Sequence, residues 1–178
     1  MKKILLAFWI TCLCLNFSSC DEDDLTPPGT FTVDVDQIET IPVHIDQTED
    51  DWMNYSFKNT LTINNEKTKE YINKIKNVEI KKLSYKVKTF SGDPLGEVKG
   101  TFMVANQISL ENTFVVKTAA DDQIIYEIKE EAELNRIAEQ LKSGQTVNII
   151  YMGSALCNTN DMDFVIEITL ETKVNIDL

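Results

Sequence analysis

The stretch that decides the fold reads Phe164-Val165-Ile166-Glu167-Ile168-Thr169-Leu170-Glu171-Thr172-Lys173-Val174-Asn175-Ile176. Its apolar residues Phe164, Ile166, Ile168, Leu170, Val174 and Ile176 share one parity, while Glu167, Thr169, Glu171, Lys173 and Asn175 take the other. Successive side chains of a strand point to opposite faces, so this segment predicts a strand with one dry and one wet face. A slip of one residue would turn the apolar set into water, which pins the register.

The same alternation recurs upstream. It appears in Phe31-Val33-Val35, Ile41-Val43-Ile45, Tyr55-Phe57 with Leu61-Ile63, Leu83-Tyr85-Val87 and Val98-Phe102-Val104. It continues in Ile108-Leu110 with Phe114-Val116, Ile124-Tyr126-Ile128 and Val147-Ile149-Tyr151. Within 77–89 the apolar parity switches between Val78-Ile80 and Leu83-Tyr85, which predicts a bulge at Lys81-Lys82. Ser91-Gly92-Asp93-Pro94 and Asn158-Thr159-Asn160 read as loops. The sum is about nine strands.

Two helices are expected among them. Over 130–142, Leu134, Ile137, Ala138 and Leu141 fall on one helical stripe. Glu130, Glu131 and Glu133 load its first turn, Lys142 its last, and Gly144 offers a stop. A weaker stripe over 66–76 carries Tyr71, Ile72 and Ile75 behind Asn64 and Asn65. One-face alternation favours antiparallel pairing, since parallel strands buried on both faces read as continuous apolar runs. The predicted fold is mainly β: an immunoglobulin-like, two-sheet antiparallel β-sandwich with two short helices. The likeness is one of architecture, because the Cys…Trp…Cys pattern of antibody domains is absent.

The organisation along the chain is a leader over 1–19, a tether over 20–30 and one domain over 31–178. Lys2 and Lys3 precede an apolar run from Ile4 to Leu15, interrupted only by Thr11. That run is shorter than the roughly 20 helical residues needed to cross a bilayer, and has the form of a signal-peptide core. Phe17-Ser18-Ser19-Cys20 follows. This leader resembles a bacterial lipoprotein signal peptide, with Phe17 where Leu is usual. The resemblance implies that Cys20 is acylated and anchors the chain in a bilayer, since two or more acyl chains hold stably. Asp21-Glu22-Asp23-Asp24, then Thr26-Pro27-Pro28-Gly29, read as a solvated, non-helical tether. The acidic cluster after the cysteine resembles the surface-export signal of Bacteroidota lipoproteins. It tilts the expectation towards surface display at the outer membrane over a periplasm-facing anchor.

With Cys12 and Cys14 in the leader and Cys20 acylated, only Cys157 remains, so no intramolecular disulfide is expected. The formal charge of −12 becomes −14 once Lys2 and Lys3 are removed. It disfavours nucleic acid and anionic membrane surfaces as partners, because both repel a net-negative protein.

Catalytic signatures are sparse. His44 is the single histidine; its parity puts it on the solvent side, and alone it cannot build a multi-histidine zinc site. Cys157 lacks an evident base and reads as a small apolar thiol. Gly153-Ser154 has no second glycine behind it, so no nucleophile elbow is predicted. Two acidic loops, 46–51 and 158–163, offer oxygen ligands, and Asp161 and Asp163 are weak Ca²⁺ candidates. Trp52, Met53 and Tyr55 form the one candidate binding platform, for a sugar ring or a protein partner, with an end-cap of the core as the commoner use of such a cluster. No cofactor is expected. The reading is a non-catalytic cell-envelope lipoprotein, a binding or structural module. A carboxylate-based hydrolase or an assembly factor using a sheet edge are the alternatives. The chain as a whole also resembles small uncharacterised lipoproteins of the Bacteroidota, which implies no specific activity.

Overall fold

A computed structural model of the chain describes residues 29–48 and 51–178. The leader, Cys20 and the tether up to residue 28 lie outside the described residues. In chain order the elements are β1 (Thr30–Ile45), β2 (Met53–Thr62), β3 (Ile75–Gly92), β4 (Glu97–Val104) and β5 (Gln107–Val115). There follow α1 (Val116–Asp121), β6 (Ile125–Glu127), α2 (Glu131–Gly144), β7 (Thr146–Leu156) and β8 (Met162–Asp177). The strands form two antiparallel four-stranded sheets, ordered β1-β8-β3-β6 and β2-β7-β4-β5.

The segment 164–176 is the inner body of β8. It is hydrogen-bonded on both sides, with Phe164 opposite Val43 of β1 and Phe90 of β3. Phe164, Ile166, Ile168, Leu170, Val174 and Ile176 are all buried. Across the chain, β1 pairs with β8, β2 with β7, β3 with β6 and β4 with β5. This is one long antiparallel hairpin rolled into two layers. Its strand order is that of an eight-stranded jelly roll. The sandwich is therefore as predicted in class and layers, with jelly-roll connectivity.

Three local differences from the sequence reading have physical causes. Phe31-Val33-Val35 and Ile41-Val43-Ile45 belong to one 16-residue strand, not two. The inward positions between them hold Gln37 and Glu39, which break the apolar pattern without breaking the strand. Both are bonded across to the neighbouring sheet edge: Thr62 N–H donates to Gln37 Oε1 at 2.7 Å, and Asn59 Nδ2 donates to Glu39 Oε2 at 2.8 Å. The weaker helix shrinks to a 3-10 turn at Ile72–Lys74. There Asn65 Oδ1 accepts the Lys67 N–H and Thr68 Oγ1 donates to Ile63 O, so side chains compete for the backbone groups a helix would use. Ile75 enters β3 instead, opposite Ile176. The unpredicted helix α1 buries Val116, Ala119 and Ala120, and takes Val116 out of the strand expected there.

The strong helix forms as α2 and packs Ile137, Ala138 and Leu141 against β3 and β7. It runs through Gly144; the left-handed residue that ends it is Gln145, whose N–H bonds to Leu141 O at 2.7 Å. The bulge predicted at Lys81-Lys82 is present, with the register shifting between Ile80 and Lys82.

Aromatic rings fill the centre. Tyr85 contacts Phe102, Tyr126 and Tyr151 at centroid distances of 5.5, 4.9 and 5.3 Å. Tyr151 has room for its phenol because Gly100 of β4 has no side chain, while Gly153 opposite it lets β7 approach the backbone of Lys99. A Cβ on Gly100 would lie 2.5 Å from the Tyr151 hydroxyl oxygen. That hydroxyl is buried with no hydrogen bond of good geometry among the described residues, the Tyr55 phenol being its polar neighbour. Gly100→Ala is expected to destabilise by about 1–3 kcal/mol through overpacking, read as a lower urea midpoint at unchanged m. Tyr151→Phe removes an unsatisfied polar atom, so it is expected to be neutral or stabilising and to reduce the cost of Gly100→Ala.

Candidate functional site

Both acidic loops of the sequence meet at one end of the sandwich. The register dictates it: Met162, at the start of β8, pairs with Ile45 at the end of β1 and with Gly92 at the end of β3. The same pairing puts His44 directly opposite Asp163 on the outward face. Cross-strand neighbours on one face lie within side-chain reach. His44 Nδ1 is 2.7 Å from Asp163 Oδ1, and Nε2 is 3.2 Å from Asp46 Oδ1 in the loop after β1. Asp161 accepts the Gln47 N–H at 2.8 Å. Ligand atoms of His44, Asp46 and Asp161 all lie within 4.8 Å of one another, and all three residues are exposed.

The sequence placed Asp161 and Asp163 together and His44 on the solvent face, and the structure keeps those positions. What the sequence did not reveal is that His44 would join them. An imidazole among carboxylates suits a transition metal better than Ca²⁺, which prefers oxygen ligands. The hydrogen bonds to Asp163 and then to Asp46 raise the His44 pKa from its ordinary value, so the same carboxylates that could hold a metal also favour a proton on the ring. A metal here would compete with that proton.

Beneath the cluster lies a residue that sequence reasoning treated only as part of a loop. Asp93 is 1 % exposed. Its Oδ2 accepts the N–H groups of Asn158 and Thr159 at 2.7 and 2.9 Å, and its Oδ1 accepts Leu95 N–H at 2.9 Å. Burial pushes its carboxyl upward, but the N–H groups of Thr159, Leu95 and Asn158 outweigh it and hold the pKa below the usual range. The signal available in the sequence was Asp93-Pro94, a turn-starting pair. Gly92 lets the two loops approach: its φ is +111°, and a Cβ there would lie 2.0 Å from Asp161 O.

Cys157 closes the floor. Its Sγ–H donates to Asp46 O at 3.2 Å, and its N–H and C=O are clamped by Thr48 at 3.0 and 2.8 Å. Burial, followed by the charge of Asp93, pushes the thiol pKa up. The group is therefore a protonated structural thiol, as the sequence suggested, and not an activated nucleophile.

The aromatic platform is dispersed. Tyr55 is a core residue, 9 % exposed, packed on Tyr151 at 5.7 Å, with its pKa pushed up to about 12 by burial. Met53 is half-buried against the core. Trp52 is also half-buried, and Lys99 Nζ sits 3.8 Å from the centroid of its ring. Such a cation–π contact is worth roughly 0.5–1 kcal/mol at an exposed site, so that face of the indole is already engaged.

No protein-family model matches the chain, and no curated protein matches it. Among solved structures similar to it is the decameric BFDV capsid protein, at 9 % identity and a TM-score of 0.47, covering 81 % of this chain and 99 % of that one. Desmodium yellow mottle tymovirus is similar at 12 % identity and a TM-score of 0.37, covering 100 % of this chain and 97 % of its own. Turnip yellow mosaic virus is similar at 11 % identity and a TM-score of 0.36, covering 85 % and 96 %. At these scores the likenesses carry no argument; the strand order alone defines the fold.

Two measurements test the site. As the single histidine, His44 gives one imidazole Cε1–H resonance, which is expected to titrate above 6.5 and to move down in Asp163→Asn. Because the folded pKa is raised, the stabilisation is present below the unfolded pKa and is lost as pH rises through the folded one. Denaturation midpoints across about pH 5 to 8 should fall accordingly, and His44→Gln should flatten that slope. Asp93→Asn, which leaves buried N–H groups poorly matched, is expected to cost about 1–3 kcal/mol in chemical denaturation.

Proposed function

We propose that the chain is a non-catalytic cell-envelope lipoprotein, anchored through an acylated Cys20 at the outer membrane. The sandwich would be held on the acidic tether as a binding or structural module. The observation that carries the non-catalytic half is the use made of the reactive groups. Glu133 is bound by Arg136 and Ser109, at 2.6 Å each, with its pKa lowered chiefly by Arg136. Glu167 lies between Lys88 and Lys86 at 2.6 and 3.2 Å, with its pKa lowered chiefly by Lys88. Asp93 serves as a loop clamp and Cys157 as a packed thiol. General acid catalysis asks for a carboxyl pushed up, beside a partner that stays ionised. Here these three perturbed carboxylates are pushed down by structural partners. The anchoring half rests on the leader and Phe17-Ser18-Ser19-Cys20.

Metabolic labelling of producing bacteria with an alkyne fatty acid tests the anchor. Labelled protein is expected in the membrane fraction, and Cys20→Ser is expected to abolish both label and membrane retention. An unlabelled wild-type chain, or a label that survives Cys20→Ser, would sink the lipoprotein reading.

A further inference from the structure

Four strands end the two sheets, and the molecule treats them differently. A bare sheet edge invites pairing with another chain, and proteins blunt it with charge, proline, brevity or cover. β1 carries Asp34, Asp36 and Pro42, and is tied to β2 through Gln37 and Glu39. Those same bonds cover β2. β6 is only three residues long. β5 has nine residues, one charge, and no strand on its outer side among the described residues.

A groove of about 380 Å³ runs along β5, between it and the connection from β6 to α2. Its apolar lining is Ile108, 58 % exposed, with Leu110 and the buried Ile128 behind it, and at one end Glu133, paired with Arg136, accepts the Ser109 hydroxyl at 2.6 Å. Ser109 is the extra residue of a bulge: Leu110 faces Phe102 and Ile108 faces Met103, so Ser109 has no partner position in β4. A bulged residue is left unpaired in the ladder, and this one lines the groove. Glu127 and Glu130 stand on the opposite wall, with Glu131 and Glu111 adjoining. Lys129 is the only cation in that stretch, and none of these five side chains is ion-paired among the described residues.

We propose that this groove receives an extended segment of a partner protein, laid along β5, with an apolar side chain against the exposed Ile108 and flanking basic residues on Glu127 and Glu130. This rests on the binding-module reading above and names its surface. The charge argues against a second copy, since a chain of net charge −12 would bring carboxylates to carboxylates. An added strand would draw affinity from main-chain bonds and selectivity from alternate side chains.

The test uses the full chain in detergent and a fluorescein-labelled synthetic peptide, Lys-Val-Lys-Val-Lys-Val-Lys, followed by anisotropy. Binding is expected, weakening with salt, with amide-exchange protection confined to the stretches 107–112 and 127–130. The Glu-for-Lys counterpart and a version N-methylated on alternate residues should both fail. Glu127→Lys with Glu130→Lys should weaken binding by about tenfold or more. Because Glu130 caps α2, Ile108→Lys provides a variant on an exposed position away from the helix, with the same loss expected. Absence of binding, equal binding by the variants or by the N-methylated peptide, protection elsewhere, or peptide-independent dimerisation through β5 would each overturn the proposal. None of these bears on fatty-acid labelling at Cys20, so a chain that is acylated yet binds no peptide sinks this inference and leaves the anchor standing.

Discussion

Everything in this molecule leans on the double pairing of β8. It is the one strand that joins β1 to β3, and it runs sixteen residues between them. Every second side chain from Met162 to Ile176 is buried. Hydrophobic burial on one face and hydrogen bonding along both edges are thus concentrated in the same segment. Its start also sets the end of the sandwich that carries the candidate site, because the Ile45–Met162–Gly92 row brings His44, Asp93 and Asp161 into one neighbourhood.

Period-2 alternation is a local property, so the strands and the sandwich class could be read directly from the residues. The bulge at Lys81 was legible for the same reason: a strand that keeps one face inward can switch parity only by inserting a residue. What local pattern could not supply was identity across distance. Gln37 and Glu39 looked like the end of one strand and the start of another, because nothing nearby in sequence reveals their partners on β2. Tyr55 could be read either as a rim platform or as an end-cap of the core, and local pattern could not decide between them; its packing on Tyr151, and the Gly100 that makes room for that ring, lie far along the chain. The helix expected over 66–76 failed through side-chain competition from Asn65 and Thr68, a contest that periodicity does not register.

The candidate site shows the same division. Asp161 and Asp163 were identifiable as loop carboxylates, while His44 was a lone histidine with no visible role. The register of two strands over a hundred residues apart makes His44 and Asp163 neighbours. Asp93 was hidden altogether, since a buried carboxylate paired only with backbone N–H groups has no charged partner for a sequence scan to find. These polar groups share a habit: each joins segments that lie far apart in the chain. Charge in this protein is used to fasten loops and edges, and at β5 a single such tie, Ser109 to Glu133, leaves the acidic pair Glu127 and Glu130 uncommitted beside it.

The rolled hairpin also fixes the order in which the protein can come into being. Thr30 lies opposite Asp177, and Ile45 opposite Met162. A chain synthesised from its amino end therefore holds β1 unpaired while β2 to β7 are made. The ladder between that strand and β8 cannot form before β8 appears. Closing so long a loop is entropically slow, and contacts of this span form late in folding. The sandwich stays incomplete until β8 has been made, so the strands before it wait unsealed on the growing polypeptide.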